Sequence, residues 1–347
     1  MIFFTGYPGF LGSELLPRIL RRDPEARAIC LVQPKFMPLA RERAASLGDR
    51  VELIEGDITA PIRIDRDDIV QIYHLAAIYD LSVRREAGVR VNVEGTKHVL
   101  EFAKSLPGLQ RLHYISTCYV SGRYPGTFTE DDLEKGQTFN NYYEETKYLA
   151  EVEVRHAMKE GLRATIYRPS VVVGDSQSGA TQKYDGPYFV MQWILRQPRI
   201  AFLPVLGGAK RYTFNVVPRD FIIDAIEALS GSASSIGKTY HLADPDPMTI
   251  DETIAAVASA TGHTIVRIPL AKWMAKGALD YVPGVYRLMR IPSAAVDYFA
   301  QPTRYDATNA TRDLGPLGIR VPRFREYLPR LVEFVRAHPE VSASGMS

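Results

Sequence analysis

Tyr143 and Lys147 stand four residues apart in Tyr143-Glu144-Glu145-Thr146-Lys147. On a helix that spacing puts a phenol and an ammonium on one face, one turn apart. A free tyrosine titrates near pH ~10, too high to exchange protons readily at neutrality. A neighbouring cation stabilises the phenolate and brings the group toward working range, so the pair suits general acid–base chemistry. Thr117, at the end of the preceding strand, adds a hydroxyl that can hydrogen-bond a substrate carbonyl and fix it for attack. The spacing by itself recurs by chance, and Tyr142 next door shows how ordinary a tyrosine is here.

A second constellation is Thr5-Gly6-Tyr7-Pro8-Gly9-Phe10-Leu11-Gly12, between the strand Ile2-Phe3-Phe4 and the helical run Ser13 to Leu20. Strand, glycine turn and helix in that order cradle the phosphates of a dinucleotide. Glycines admit positive φ and close approach, and the helix N-terminus holds negative charge. The spacing is Gly6-x-x-Gly9-x-x-Gly12 rather than G-x-G-x-x-G, and a tight turn without a ligand is the competing reading. In such a fold the end of the second strand meets the adenosine ribose, where an acid selects NAD and cations admit the 2′-phosphate of NADP. That position is Gln33. No carboxylate lies between Leu31 and Ala40, whereas Lys35, Arg41 and Arg43 are close by. NADP(H) is therefore the expected cofactor, with NAD(H) open and a solvated loop as the alternative for the cations. Asp57, in Gly56-Asp57-Ile58, is placed to hydrogen-bond an adenine amino group or to cap a helix.

The elements that must position these groups alternate. Apolar runs at Ala28–Val32, Val51–Asp57, Gln71–Ala77, Leu112–Thr117 and Leu162–Pro169 read as buried strands. Helical patterns fill Val91–Leu106 and Tyr142–Lys159, the latter ended by Gly161. Such alternation predicts an α/β fold with a doubly wound parallel sheet and helices on both faces. Beyond Gly174 the rhythm changes. Helices are expected at Tyr188–Leu195, Phe221–Leu229, from Thr249 behind a capping pattern, and at Leu328–Val335, with strands at Tyr212–Val217 and Thr239–Leu242. The aromatic stretch Trp273–Phe299 would cap a hydrophobic pocket or simply close a second lobe, and the tail after Pro339 should fray.

Composition sets the outer bounds. The 347 residues are 46% apolar and 24% charged, the balance of an ordinary globular protein. A net charge of +2 with no basic run argues against a nucleic-acid binder. Cys30 and Cys118 are too few for a disulfide framework or a zinc site and read as buried thiols in a reducing cytoplasm, and no metal is expected. No apolar run is long enough to cross a bilayer, and no signal peptide is expected, so the predicted location is cytoplasmic.

Seven landmarks in order resemble the extended short-chain dehydrogenase/reductase family. They are Thr5-Gly6-x-x-Gly9-x-x-Gly12, Gly56-Asp57, His74-Leu75-Ala76-Ala77, Asn92-x-x-Gly95-Thr96, Ser116-Thr117, Tyr143-x-x-x-Lys147 and Tyr167-Arg168-Pro169. The resemblance runs from Met1 to about Leu242. It implies a Rossmann domain over 1–174, to which elements around 212–242 return, and a smaller, mostly helical substrate lobe over 175–340. It implies catalysis by Thr117, Tyr143 and Lys147, with Ser116 able to share the first role. It implies that Leu75, Ala76, Ala77, Asn92 and Ile58 line the cofactor and that Pro169 and Val171 pack on the nicotinamide. His113 and His241 read as structural.

Tyr114 to Gly122, the Tyr143 to Glu151 helix and Arg168 to Ser176 look like the thioester-reductase and fatty acyl-CoA reductase branch. That branch reduces acyl thioesters to aldehydes or alcohols with NADPH, on CoA or a carrier, and family members often form homodimers through the two helices matching Val91–Leu106 and Tyr142–Lys159. Other readings stay open: an epimerase or dehydratase on a sugar nucleotide, whose diphosphate Lys183, Lys210, Arg211 and Arg219 could serve; a dehydrogenase for a hydroxysteroid- or flavanol-like ketone; and a non-catalytic NADP-sensing regulator.

Overall fold

The computed structural model describes residues 1–271, 273, 274, 276, 277 and 293–341. Seven strands form the central sheet: β1 (Ile2–Thr5), β2 (Ala28–Val32), β3 (Val51–Glu55), β4 (Gln71–His74), β5 (Arg111–Ile115), β6 (Ala164–Pro169) and β7 (Thr239–Leu242). All pair in parallel, in the order β3-β2-β1-β4-β5-β6-β7. The chain runs outward from β1 to β3 on one side, then returns beside β1 and continues to β7 on the other. The order therefore reverses between β1 and β4, and the crevice beyond their carboxyl ends is where such a sheet binds ligands.

Alternation along each strand explains why the sheet carries helices on both faces. Phe4, Cys30, Tyr73, Tyr167 and Tyr240 point to one face, under α1 (Gly12–Arg22) and a late helix at Arg219–Gly231. Phe3, Ile29, Ile72, Leu112, Tyr114 and Ile166 point to the other, under α2 (Gly95–Ser105) and α3 (Tyr142–Lys159). With both faces covered, no polar period appears in these strands. On the first face Phe4, Tyr73, His113, Tyr167 and Tyr240 stack ring on ring across five adjacent strands, with centroids 4.2–6.3 Å apart. His113 belongs to that stack, and its Nδ1 lies 3.0 Å from the Tyr167 hydroxyl.

A separate apolar cluster beyond residue 170 joins helices Pro187–Leu195, Ile250–Thr261 and Phe324–Ala337. A parallel pair, Ile200–Leu206 with Thr264–Leu270, belongs here and has no counterpart in the sequence reading; the first strand alternates exposed and buried residues over its first four positions, and the second buries none fully. The expected strand over 212–217 shrinks to Val216–Pro218, which pairs with Val171–Val173. Thr213 keeps only an isolated bridge to Thr249, and Phe214 donates to the Met248 carbonyl at 2.9 Å. The third and fourth strands end at Glu55 and His74 rather than at Asp57 and Ala77, since the chain there turns to wrap the glycine loop. The helix expected from Val91 begins as a π turn over Val89–Glu94 before α2. Most of the aromatic stretch 273–299, and residues 342–347 of the tail, lie outside the described residues.

Candidate active site

The glycine turn is built by close approach. Gly6 has φ +90°, and a Cβ there would stand 2.8 Å from the Ala76 nitrogen. The Gly9 amide donates to the Gly6 carbonyl at 2.9 Å, and a Cβ on Gly9 or Gly12 would come within 2.8 or 2.5 Å of that oxygen. Leu11, at the N-cap of α1, provides no side-chain cap; the Ser13 and Glu14 amides donate to the Gly9 and Leu11 carbonyls at 3.0 and 3.2 Å. Arg43 donates to the Pro8 carbonyl at 2.7 Å and to Ser13 Oγ at 2.6 Å, which fixes the turn from outside. Arg219 lies 5.3 Å from the Phe10 ring centre and 3.7 Å from Glu14, a second cation at the same helix end. A tight turn at a helix N-terminus, two cations and a position at the sheet's reversal fit the pyrophosphate of NAD(P). Gly6→Ala is expected to weaken cofactor binding at least ten-fold and to cost about 2 kcal/mol, because φ +90° strains any Cβ; calorimetry and urea unfolding measure both.

The adenosine end is more tied down than its sequence suggested. Gln33 Nε2 donates to Asp57 Oδ2 at 2.7 Å, and Asp57 Oδ1 accepts from the Thr59 amide at 2.9 Å. Asp57 thus closes a turn rather than capping a helix, since no helix begins there, and its link to Gln33 joins the end of β2 to the end of β3. Ile58 is buried against Gly95, where a Cβ would meet its Cδ1 at 2.7 Å. Lys35 lies 4.8 Å from the Phe36 ring centre in the short turn after Gln33. Leu75 and Ala76 are half-buried and Ala77 is exposed, in the segment that covers Gly6.

Thr117, Tyr143 and Lys147 are all buried at the carboxyl end of β5. Asn141 caps α3 by accepting from the Glu144 amide at 3.0 Å, which sets the rotation that turns Tyr143 and Lys147 inward. Burial raises the Tyr143 pKa above the ordinary phenol value, a hydrogen bond from Thr117 opposes this, and Glu144 and Asp185 raise it further. The phenol is thus protonated at neutrality, the state of a proton donor. The Lys147 Nζ donates to the Ile115 carbonyl at 2.8 Å and to the Tyr114 hydroxyl at 3.1 Å. Burial pushes the Lys147 pKa down to about 7, with Glu151 opposing. Among the described residues no hydrogen bond joins Lys147 to Tyr143; the phenol's partner is Thr117.

Ser116, the neighbour considered for a shared role, turns the other way and donates to Glu151 at 2.6 Å. Glu151 also receives Arg168 at 2.6 Å and Arg155 at 3.0 Å, all behind the site. Arg168 continues to His241 Nε2 at 2.9 Å, and His241 Nδ1 donates to the Asp306 carbonyl at 2.6 Å. Asn92 accepts from the Ile78 amide at 2.9 Å and donates to Thr146 at 3.0 Å, tying the segment after β4 to the helix of Tyr143. The Thr5 hydroxyl faces inward, 2.8 Å from His74 Nδ1. Pro169 accepts from Thr117 at 3.4 Å, and Val171 packs under Gly186.

The structure adds residues that sequence reading missed. The Tyr79 ring meets Tyr143 edge-on at 5.1 Å, with Lys183 4.4 Å from its centre and its hydroxyl hydrogen-bonded to Asp185. Tyr79 keeps 44% of its surface exposed, so it lines the open side of the site. Lys183 was weighed only as a cation for a diphosphate, and nothing in the sequence joins it or Asp185 to Tyr79, since over 100 residues separate Tyr79 from the other two.

With this geometry in place, comparison with known proteins is informative. A profile described as male sterility protein, of the NAD-binding type, matches residues 4–226. The nonribosomal peptide synthetase asaC of Aspergillus flavus is 25% identical, over 91% of this chain and 34% of its own length. The 3-beta-hydroxysteroid dehydrogenase of Mycolicibacterium neoaurum is 27% identical, over 94% and 90%. The chain spans 6–36% of the length of the first curated relatives it matches. Among solved structures, the terminal R domain from the myxalamid PKS-NRPS pathway superposes with a TM-score of 0.82 at 25% identity, covering 98% of this chain and 92% of that one. UDP-glucuronic acid 4-epimerase from Bacillus cereus, with NAD, shares the fold at 0.68 and 20% identity, over 99% of each chain. On the profile match, which spans well over half its length, the chain belongs to the male sterility protein family, within the NAD(P)-binding extended short-chain dehydrogenases/reductases.

Proposed function

We propose that the chain is an NADP(H)-dependent reductase that delivers hydride to the carbonyl of an acyl thioester, with Thr117, Tyr143 and Lys147 as its site. The observation that carries this is the burial of Thr117, Tyr143 and Lys147 together at the carboxyl end of β5, beside the crevice at the sheet's reversal. The likeness to a terminal R domain supports the choice of a thioester, as does the fold shared with an archaeal thiolation-reductase di-domain at a TM-score of 0.73. The glycine turn, Arg43 and Arg219 would hold the pyrophosphate, and Pro169 and Val171 the nicotinamide. The bound nicotinamide supplies the hydride.

Every other part belongs to the protein. Thr117 and Tyr143 hold the thioester oxygen, and as charge grows there Tyr143 passes its proton to it. The resulting hemithioacetal returns its hydroxyl proton to the phenolate, the carbon–sulfur bond breaks, and the thiolate leaves to be protonated by solvent. Lys147 stabilises the phenolate and holds ribose hydroxyls. A second round would carry the aldehyde to the alcohol.

Gln33 in place of a carboxylate, with Arg43 at the turn, favours the phosphorylated cofactor. NADPH is expected to bind at least about ten-fold more tightly than NADH, roughly the worth of one good charge contact, as calorimetry will show. A ketone dehydrogenase is the second reading, favoured by the near full-length match to the steroid enzyme. A sugar-nucleotide site is less well supported: Lys183 is held at Asp185, Arg211 on Tyr212 and Arg219 at Phe10, so these cations form no common cradle. NADPH consumption at 340 nm with a panel of acyl-CoAs, ketones and sugar nucleotides separates the three, and no turnover with any would favour a sensor. The same proposal includes a homodimer through α2 and α3, and among the described residues no helix is long and apolar enough to cross a membrane.

A further inference from the structure

Thr5, His74 and Tyr114 are register partners on β1, β4 and β5, side by side on the face covered by α2 and α3. All three are buried. The row links two places otherwise described apart, the glycine turn and Lys147.

Its donors and acceptors can be assigned from the contacts alone. Thr5 Oγ1 accepts from the Ala76 amide at 3.2 Å, so its proton goes to His74 Nδ1 at 2.8 Å. Thr96 Oγ1 spends its one proton on the Asn92 carbonyl at 2.6 Å. Toward His74 Nε2, 3.0 Å away, Thr96 can therefore only accept. His74 is thus neutral with its proton on Nε2, as expected of an imidazole whose pKa burial, and then Lys147, push down to about 3. The Tyr114 hydroxyl accepts from the Lys147 ammonium at 3.1 Å, and Thr96 lies beside it. Lys147 Nζ also stands 4.6 Å from the centre of the Tyr114 ring. Thr96 thus accepts from His74 and donates to Asn92, and Tyr114 stands between this threonine and Lys147.

We propose that Tyr114 is a positioning residue for the Lys147 ammonium, held at the end of a buried polar row that runs from the glycine turn through Thr5, His74 and Thr96. The proposal rests on the reading of Lys147 as part of the site. The physical reason is the scarcity of partners. Lys147 is buried, and the titratable groups facing it are Tyr143 and Glu151 on its own helix, Tyr114 on β5 and His74 on β4, with Arg155 and Arg168 behind Glu151. His74 is neutral, and Glu151 is already shared by two arginines and Ser116. The Tyr114 oxygen and ring and the Ile115 carbonyl are what remains to hold the positive charge in place. A segment that shifts Ala76 on cofactor binding would pull on Thr5 and so reach Lys147 without touching it.

The test uses the full chain. In Tyr114→Phe, the Lys147 Nζ, followed by nitrogen-15 NMR without substrate, should titrate about one pH unit lower, the worth of one hydrogen bond to a charged group. With NADPH and the active thioester, kcat should fall about ten-fold and its alkaline limb should move acidward, while the NADPH Kd stays within about two-fold. Thr96→Val, which keeps the shape and removes the acceptor, should give a smaller shift in the same direction. The imidazole nitrogens of His74 should report the Nε2–H tautomer and no titration between pH 5 and 8. An Nδ1–H tautomer, or a Lys147 titration unmoved by Tyr114→Phe, overturns the proposal. If instead Tyr143→Phe and Lys147→Met both turn over normally, the site reading fails and not the row, which the two NMR readouts judge on their own.

Discussion

Tyr143→Phe is expected to lower kcat by about 10³-fold, within the range that a positioned proton donor contributes. The NADPH Kd should stay within about two-fold, since the ring and its packing on Tyr79 persist and only the hydroxyl is lost. The substitution is informative because the phenol's hydroxyl neighbour, Thr117, does not itself ionise and cannot take over the proton transfer. Thr117→Val should show a smaller loss of the same kind, since it removes one of two groups holding the oxygen. Stopped-flow hydride transfer under single-turnover conditions separates this from product release. A Tyr143→Phe enzyme with full activity would place the proton donor elsewhere, with Tyr79 the next phenol to examine.

The second large effect lies behind the site. Arg168 and Glu151 are both fully buried, and the carboxylate is also held by Arg155 and Ser116. Burial alone would raise the Glu151 pKa, but Arg168 and then Arg155 outweigh it and hold the carboxyl down at about 2. Arg168→Met leaves that charge without its main partner and is expected to cost about 3–5 kcal/mol in urea unfolding. The pH dependence follows from the depressed folded-state pKa. Stability from Glu151 is fully present above pH ~4.5, where the unfolded carboxyl is also ionised, and is lost as pH falls from there toward 2. The deficit of Arg168→Met should therefore narrow across that window, as the wild type loses what the variant already lacks. A deficit that is constant from pH 7 to 3 would mean that packing, and not the ion pair, is what the substitution removes.

The sequence disclosed the fold because its signals were local. A parallel sheet covered on both faces needs continuous apolar strands, and six of the seven central strands read that way from a few residues each; the seventh, at Thr239–Leu242, stood in the changed rhythm but was still legible as a strand. The glycine turn and the Tyr143–Lys147 spacing were legible for the same reason. What was hidden is what long-range contact decides. The aromatic pattern of β4, β5 and β6 gave no sign that His113 and Tyr167 stack, and Thr5 looked like part of a phosphate cradle although its hydroxyl is turned to His74. Asp57 and Gln33 were read separately and prove to be partners. The strand pair Ile200–Leu206 and Thr264–Leu270 escaped because each carries an internal proline, Pro204 and Pro269, and the second buries no residue fully, so its apolar side chains mark no face. Substrate choice was not legible, because the residues beyond Gly174 carry no local motif.

The most direct measurement of the central claim is the fate of the transferred hydride. The protein is mixed with NADPH deuterated at the reactive C4 position and with acyl-CoAs of graded chain length, and the products are read by mass spectrometry. The account predicts an aldehyde carrying one deuterium on the former thioester carbon, or an alcohol carrying two, with one free thiol per acyl group and no product from Tyr143→Phe. Label recovered only in products of ketones or sugar nucleotides, with every thioester returned intact, would contradict it.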